Sequence, residues 1–284
     1  MYKTHFGLLE DPFGITPDTN FLIPTHSYQE AFNTLSIAVQ NGAGFVKITG
    51  EVGTGKTLLC RKFLSSLGPE YVTAYIHNPY LEPHTLLLAL VDELAVPLPD
   101  PGIHNNQHYL LKLLTLALSE IASQGRHAVL CIDEAQAMPL MSLEALRLLT
   151  NLETEKCKLL QVVLFGQPEL DKKLSHKSVR QLLQRIIFQY HLVPLAYEEI
   201  GYYLAHRLNI AGYRGGPLFL PDAIDVLYRA TRGTPRLVNI LAHKSLLLAY
   251  GEGSNQVIKS HVLAAVADTP AARQPLWRFW EHFL

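Results

Sequence analysis

Gly50-Glu51-Val52-Gly53-Thr54-Gly55-Lys56-Thr57 fits the pattern G-x-x-x-x-G-K-S/T. It stands between an apolar, strand-like run, Phe45-Val46-Lys47-Ile48-Thr49, and a stretch of helical period from Lys56 to Leu67. That flanking is the context the pattern requires. Its glycines let successive backbone N–H groups turn inward without a Cβ clash, and the helix start adds its positive end, so the loop is suited to surround phosphate groups. Lys56 then reaches the β- and γ-phosphates of ATP, and the Thr57 hydroxyl ligates Mg2+. The nucleotide-binding set is Gly50, Glu51, Val52, Gly53, Thr54, Gly55, Lys56, Thr57 and the adjoining Leu58, and the empty loop is expected to be exposed.

Outward from this loop, strands alternate with helices. Tyr28, Ala31, Phe32, Leu35 and Val39 recur at helical spacing before the glycine break at 42–44. After the loop helix, Tyr71 to Ile76 reads as a strand, Pro83 to Val96 and Asn106 to Ser123 as helices, and His127 to Ile132 as a strand. Leu140 to Glu153 reads as a helix, Leu159 to Phe165 as a strand, the region to Gln184 as broken helix, and Ile187 to Leu192 as a fifth strand. This alternation predicts an α/β fold, a five-stranded parallel sheet with crossover helices on both faces. Beyond Pro194 the segments Tyr197–Ile210, Pro221–Thr231, Pro235–Tyr250 and Lys259–Asp268 are all helical in period, which predicts a small all-helical domain. The expected division is 1–193, 194–268 and an aromatic tail, 269–284.

The strand ending at Ile132 runs straight into Asp133-Glu134. With a phosphate loop upstream, Asp133 is expected to hold the magnesium and Glu134 to polarise the water that attacks the γ-phosphate. Where Glu stands beside this Asp in P-loop ATPases, an extra strand lies between the two motif strands and carries a polar residue at its tip. Gln167, in Gly166-Gln167-Pro168, occupies that position. Arg236 falls in the first turn of a helix, where a cation opposes the helix dipole, so a phosphate is a reason for its presence. Arg185 falls at a helix C-terminus, where a cation is favoured without any ligand.

The 284 residues are 48% hydrophobic and 17% charged, with 24 Lys+Arg against 25 Asp+Glu. That composition excludes disorder, and the net charge of -1 disfavours a general nucleic-acid binder. Cys60, Cys131 and Cys157 are odd in number and sit in apolar stretches, which points to a reducing, cytoplasmic compartment. The N-terminus has no apolar signal core, and no hydrophobic run is long enough for a transmembrane segment. His104 and His108 stand four apart, but no third ligand has suitable spacing for zinc. Trp277-Arg278-Phe279-Trp280-Glu281-His282-Phe283 either packs on the helical domain or docks on a partner or membrane surface.

These residues resemble the AAA+ ATPases, and more narrowly the ExeA/MshM type that serves general secretion and MSHA-type pilus biogenesis. The resemblance starts in His5-Phe6-Gly7-Leu8, Pro12-Phe13, Thr16-Pro17-Asp18 and Phe21. It continues through the phosphate loop with Cys60-Arg61, then Ile132-Asp133-Glu134-Ala135-Gln136, Phe165-Gly166-Gln167-Pro168-Glu169-Leu170, Gln184-Arg185-Ile186 and Gly233-Thr234-Pro235-Arg236. The resemblance implies that the helical domain is a lid, that Gln167 is sensor 1 and Arg236 sensor 2, and that Pro12-Phe13 closes over the adenine. It also implies Arg185 as the arginine finger, with Arg180 as the alternative. The partners it implies are a ring or other homo-oligomer of this chain and cytoplasmic or inner-membrane parts of a pilus or secretion machine. ExeA-type proteins continue into a membrane span and a periplasmic domain; this chain stops short of both, which favours the short MshM branch. A DNA-remodelling ATPase of the replication-initiator or transposition-helper kind shares this core and lid, and neutral charge with no winged helix after the lid weighs against it. A non-catalytic nucleotide switch needs neither Glu134 nor Gln167.

Overall fold

The structure, a computed structural model, describes residues 2–98, 106–153 and 158–274. In chain order the elements are α1 (Tyr2–Phe6), α2 (His26–Gln40), β1 (Phe45–Gly50), α3 (Lys56–Ser66), β2 (Tyr71–Ile76), α4 (Pro83–Glu93) and α5 (Gln107–Ser123). They continue with β3 (His127–Ile132), α6 (Leu140–Leu149), β4 (Leu160–Gly166), α7 (Glu169–Leu174), α8 (Arg180–Leu183) and β5 (Ile186–Leu192). The last four are α9 (Tyr197–Ile210), α10 (Pro221–Thr231), α11 (Pro235–Gly251) and α12 (Lys259–Ala267). Two compact units result, one of residues 26–52 and 59–192, the other of residues up to 25, 53–58 and from 193 onward.

In the first unit the sheet runs β2-β3-β4-β1-β5, and every pairing is parallel. Alternate residues of each strand feed opposite faces, as the pleat demands. Leu130, Ile132, Val162 and Leu164 join the core under α4, α5 and α6. Val129, Cys131, Val163 and Phe165 join Leu35, Leu59 and Phe63 on the other face. β3 and β4 are therefore apolar on both sides, as strands of a parallel sheet covered twice are, whereas the edge strand β5 turns Ile187, Gln189 and His191 to solvent. Cys60 and Cys131 are free, buried thiols.

Helix ends account for most differences from the sequence reading. Asn106 caps α5, its side chain accepting from the Tyr109 N–H at 3.2 Å. α4 stops at Glu93 because Ala95 takes a left-handed conformation, φ 52°. Val96 N–H then bonds Val91 O and Ala95 N–H bonds Asp92 O, both at 3.0 Å, the double bond of a Schellman turn. Glycine is the residue that adopts this conformation without strain. Ala95→Gly, at an exposed position, is expected to raise the unfolding free energy by about 0.5–1 kcal/mol, read as a higher urea midpoint at unchanged slope.

In the second unit α9 to α12 bury Ile200, Leu204, Leu208, Leu227, Leu241, Leu246 and Val262. Gly233 has φ 75°, and a Cβ there would lie 1.9 Å from the Leu195 carbonyl oxygen, so only glycine lets the α10–α11 turn meet the start of the unit. The division at 193 needs one revision: Phe6, Leu8, Phe13, Phe21 and Ile23 lie in this same core. The N-terminal segment groups with the helical unit rather than with the sheet because its apolar side chains are buried there. Arg207 of α9 fastens it, donating from Nε to Pro12 O at 2.6 Å and from Nη2 to Gly14 O at 3.4 Å while its guanidinium lies 4.8 Å from the Phe21 ring centroid. Thr269 and Ala272 are likewise buried. Cys157, His104 and the aromatic run from Trp277 to Phe283 lie outside the described residues. Among the described residues no helix is long and apolar enough to cross a membrane.

Candidate active site

β1 ends at Gly50 and α3 begins at Lys56, so Glu51 to Gly55 form the turn between strand and helix. Gly53 and Gly55 have φ of 81° and 102°, which lets their peptide planes turn as the motif requires. Gly53 meets a second demand. Its carbonyl accepts the Arg236 backbone N–H at 3.2 Å, and a Cβ on it would lie 2.7 Å from the Arg236 Cβ and 3.3 Å from Thr234 Cγ2. The first turn of α11 is therefore seated on the loop, and Arg236, itself exposed, stands beside Gly53. The expectation of an exposed loop is corrected: Thr54 and Lys56 are 6% and 5% exposed, and only Glu51 and Val52 are open to solvent.

The sheet unit carries the other expected site residues, at the tips of β3 and β4. β4 lies between β1 and β3, so its tip stands beside the tip of β3, as the position of Gln167 in the sequence predicts. Asp133 is fully buried. Its backbone N–H donates to Ile76 O, and its Oδ1 accepts the Glu134 N–H, both at 2.9 Å. His77 Nδ1 lies 3.8 Å from its other oxygen. The Asp133 charge is felt nearby: burial, then Asp133 and Cys60, push the Tyr75 hydroxyl above its ordinary range, with Arg61 opposing. Burial, then Cys131 and Asp133, raise the Cys60 thiol.

Glu134 is left-handed, φ 51° and ψ 36°, a strained conformation for a side chain of this size. Its Oε2 accepts from Gln136 Nε2 at 2.5 Å and from Gln167 Nε2 at 3.1 Å. Gln136 Oε1 in turn accepts the Gln167 backbone N–H at 2.9 Å. Gln136 is a residue to which sequence reasoning gave no role. Its signal was its place, two residues past Glu134 in a short turn. Arg207 was also missed, although it falls on the apolar face of α9 with Ile200, Tyr203, Leu204 and Leu208, where a cation stands out.

Two other expected residues have different surroundings. Arg185 lies two residues past the end of α8, its Nη1 3.4 Å from Thr150 Oγ1 and 3.5 Å from Arg147 O, over the last turn of α6. Arg180 is exposed. Phe13, expected at the adenine, is 2% exposed and packed edge-on against Phe219 with centroids 5.9 Å apart, so its ring is a core element of the helical unit.

Residues 39–174 match the family model described as an AAA domain. The chain is 41% identical over 274 residues to general secretion pathway protein A of Aeromonas hydrophila; the match takes in 96% of this chain and 49% of that protein, so the chain spans about half of its relative's length. Among solved structures, Cdc6p of Pyrobaculum aerophilum superposes with a TM-score of 0.70 at 20% identity, covering 92% of this chain and 71% of that one. The ORC2 protein of Aeropyrum pernix gives a TM-score of 0.63 at 16% identity, covering 94% and 74%. At these identities the two structures speak for the fold, a P-loop AAA core with a helical part after it.

Proposed function

We propose, from the match of residues 39–174 to the AAA domain model, that this chain is a magnesium-dependent ATPase. It acts as a ring or other homo-oligomer and drives assembly of a secretion or pilus machine. The observation that carries hydrolysis, beyond binding, is the carboxylate of Glu134 held between Gln136 and Gln167 at the adjoining tips of β3 and β4. A nucleotide switch has no use for a positioned carboxylate there. In this reading the backbone of Gly50 to Leu58 and the Lys56 ammonium hold the phosphates. Arg236 adds a second cation from α11, and the Phe13 segment borders the adenine. Thr57 and Asp133 would hold the magnesium, which supplies charge neutralisation on the phosphate oxygens. Both offer oxygen donors, the set that suits magnesium, whose remaining positions go to water and phosphate. Glu134 accepts the proton of the attacking water as its oxygen bonds the γ-phosphorus and the bond to the β-phosphate oxygen breaks, leaving ADP and phosphate. Gln167 orients that water or the γ-phosphate, and Arg185 serves the neighbouring subunit.

The client is proposed from the 41% identity to a protein named for general secretion, and the pilus branch from the resemblance in sequence. A cytoplasmic protein, peripheral at the inner membrane through its partners, fits that role. A DNA-remodelling role shares the fold and is disfavoured by the net charge of -1. The direct test is Lys56→Ala, which is expected to abolish binding of a fluorescent ATP analogue while circular dichroism and melting stay near the parental values. Because Lys56 is buried, the melting control is essential to it. Undiminished binding would remove the phosphate-cradle assignment.

A further inference from the structure

We infer that Gln136 is a positioning residue for hydrolysis: through one amide it fixes the Glu134 carboxylate and ties it to the backbone of the β4 tip. The inference rests on the reading of Glu134 as the base. The orientation of the Gln136 amide follows from its neighbours. Facing a carboxylate oxygen at 2.5 Å it must present its NH2, and facing the Gln167 N–H at 2.9 Å it must present its oxygen. A flipped amide would set oxygen against carboxylate and donor against donor, so the side chain has a single satisfied state.

The consequence for Glu134 is asymmetry between its two oxygens. Both amide donors, from Gln136 and Gln167, converge on Oε2, which leaves Oε1 to take the proton of the attacking water. Hydrogen bonds to a charged acceptor are the stronger kind, and two of them on one oxygen suppress rotation of the carboxylate. The turn that carries Gln136 is itself held. Lys173 of α7 donates to the carbonyls of Gln136 and Met138 at 2.6 Å each, and Ala137 N–H donates to Glu134 O at 2.8 Å. These bonds also hold Glu134 in its left-handed conformation, which a solvent-exposed turn would relax. Gln136 therefore connects the base to the β4 tip by a second route besides the Gln167 side chain.

The test compares Gln136→Met, which keeps length and removes both hydrogen bonds, with Gln136→Glu, which keeps an acceptor for the Gln167 N–H but removes the donor to Glu134 and adds a like charge. Each is measured with full-length protein for kcat, KM for ATP, binding of an ATP analogue and melting, beside Glu134→Gln and the double variant Glu134→Gln/Gln136→Met. Gln136→Met is expected to lose 10- to 100-fold in kcat, the range for residues that orient a catalytic group, with KM, binding and melting near parental values, and Gln136→Glu, which sets two carboxyl groups against each other, to lose at least as much in kcat with KM and binding near parental values and a lower melting temperature. In the double variant Gln136→Met should add no further loss, because the group it orients is gone. Parental kcat in both single variants while Glu134→Gln is inactive would overturn the role of Gln136 and leave the base standing. Additive losses in the double variant would overturn it too. Parental turnover by Glu134→Gln would overturn the base assignment instead. If Gln136→Met does not fold, Gln136→Glu decides the single-variant arm and is combined with Glu134→Gln in the same cycle.

Discussion

Glu134→Gln is expected to bind ATP as the parental protein does and to hydrolyse it on the order of a thousandfold more slowly. The substitution is nearly isosteric, and the amide oxygen still accepts from Gln136 and Gln167, so the network at the strand tips survives. Asp133 keeps its own bonds to the backbone of Glu134 and to the tip of β2 through its N–H. What disappears is the group that takes the water's proton. A phosphate-release assay under saturating ATP, paired with equilibrium binding, separates the two effects. Turnover at the parental rate would show that another group acts as the base.

The second large effect is expected from Arg185→Ala and depends on assembly. In the proposed oligomer the guanidinium reaches a neighbour's γ-phosphate, a contribution worth on the order of a thousandfold in rate, while nucleotide binding within the same subunit is untouched. Among the described residues the Arg185 side chain makes long contacts to the end of α6, 3.4 and 3.5 Å, and its charge helps to lower the Glu153 carboxyl, so the fold should lose no more than about 0.5 kcal/mol. Arg185→Ala alone should therefore bind ATP and be inactive. Mixed with Lys56→Ala, which keeps its arginine but cannot bind nucleotide, it should regain activity where an intact arginine meets an intact pocket. Mixed oligomers are first established by size. With them present, absence of recovery at every mixing ratio would count against Arg185 acting in trans, and the same mixture with Arg180→Ala would show whether the arginine at the start of α8 is the finger.

The parts of this molecule legible in its sequence are those that local chemistry determines. The five strands follow from apolar runs, three of which run into the residues expected at the site, Gly50, Asp133 and Gln167. The helices that open with Pro83, Pro221 and Pro235 are marked by a residue whose fixed φ suits the first turn. What stayed hidden depends on partners distant in sequence. Phe13 and Phe219 are each unremarkable until the fold brings their rings together. The left-handed turn at Ala95 carries no glycine to announce it. Gln136 reads as an ordinary polar residue because its meaning lies in the Gln167 backbone, which only the placement of β4 beside β3 supplies.

The bond from Arg207 to the Pro12 carbonyl spans 195 residues, and that separation sets an order of events on the ribosome. At about 5–20 residues per second, roughly 10 to 40 s pass between the synthesis of Pro12 and that of Arg207. The five strands and their crossover helices all emerge in that interval and can pair as they come. The first two dozen residues, with Phe6, Phe13 and Phe21 among them, must wait with their apolar side chains unburied. The segment around Pro12, made well before α9, is thus among the last to find its place, which gives it a long exposure to chaperones and to misassociation.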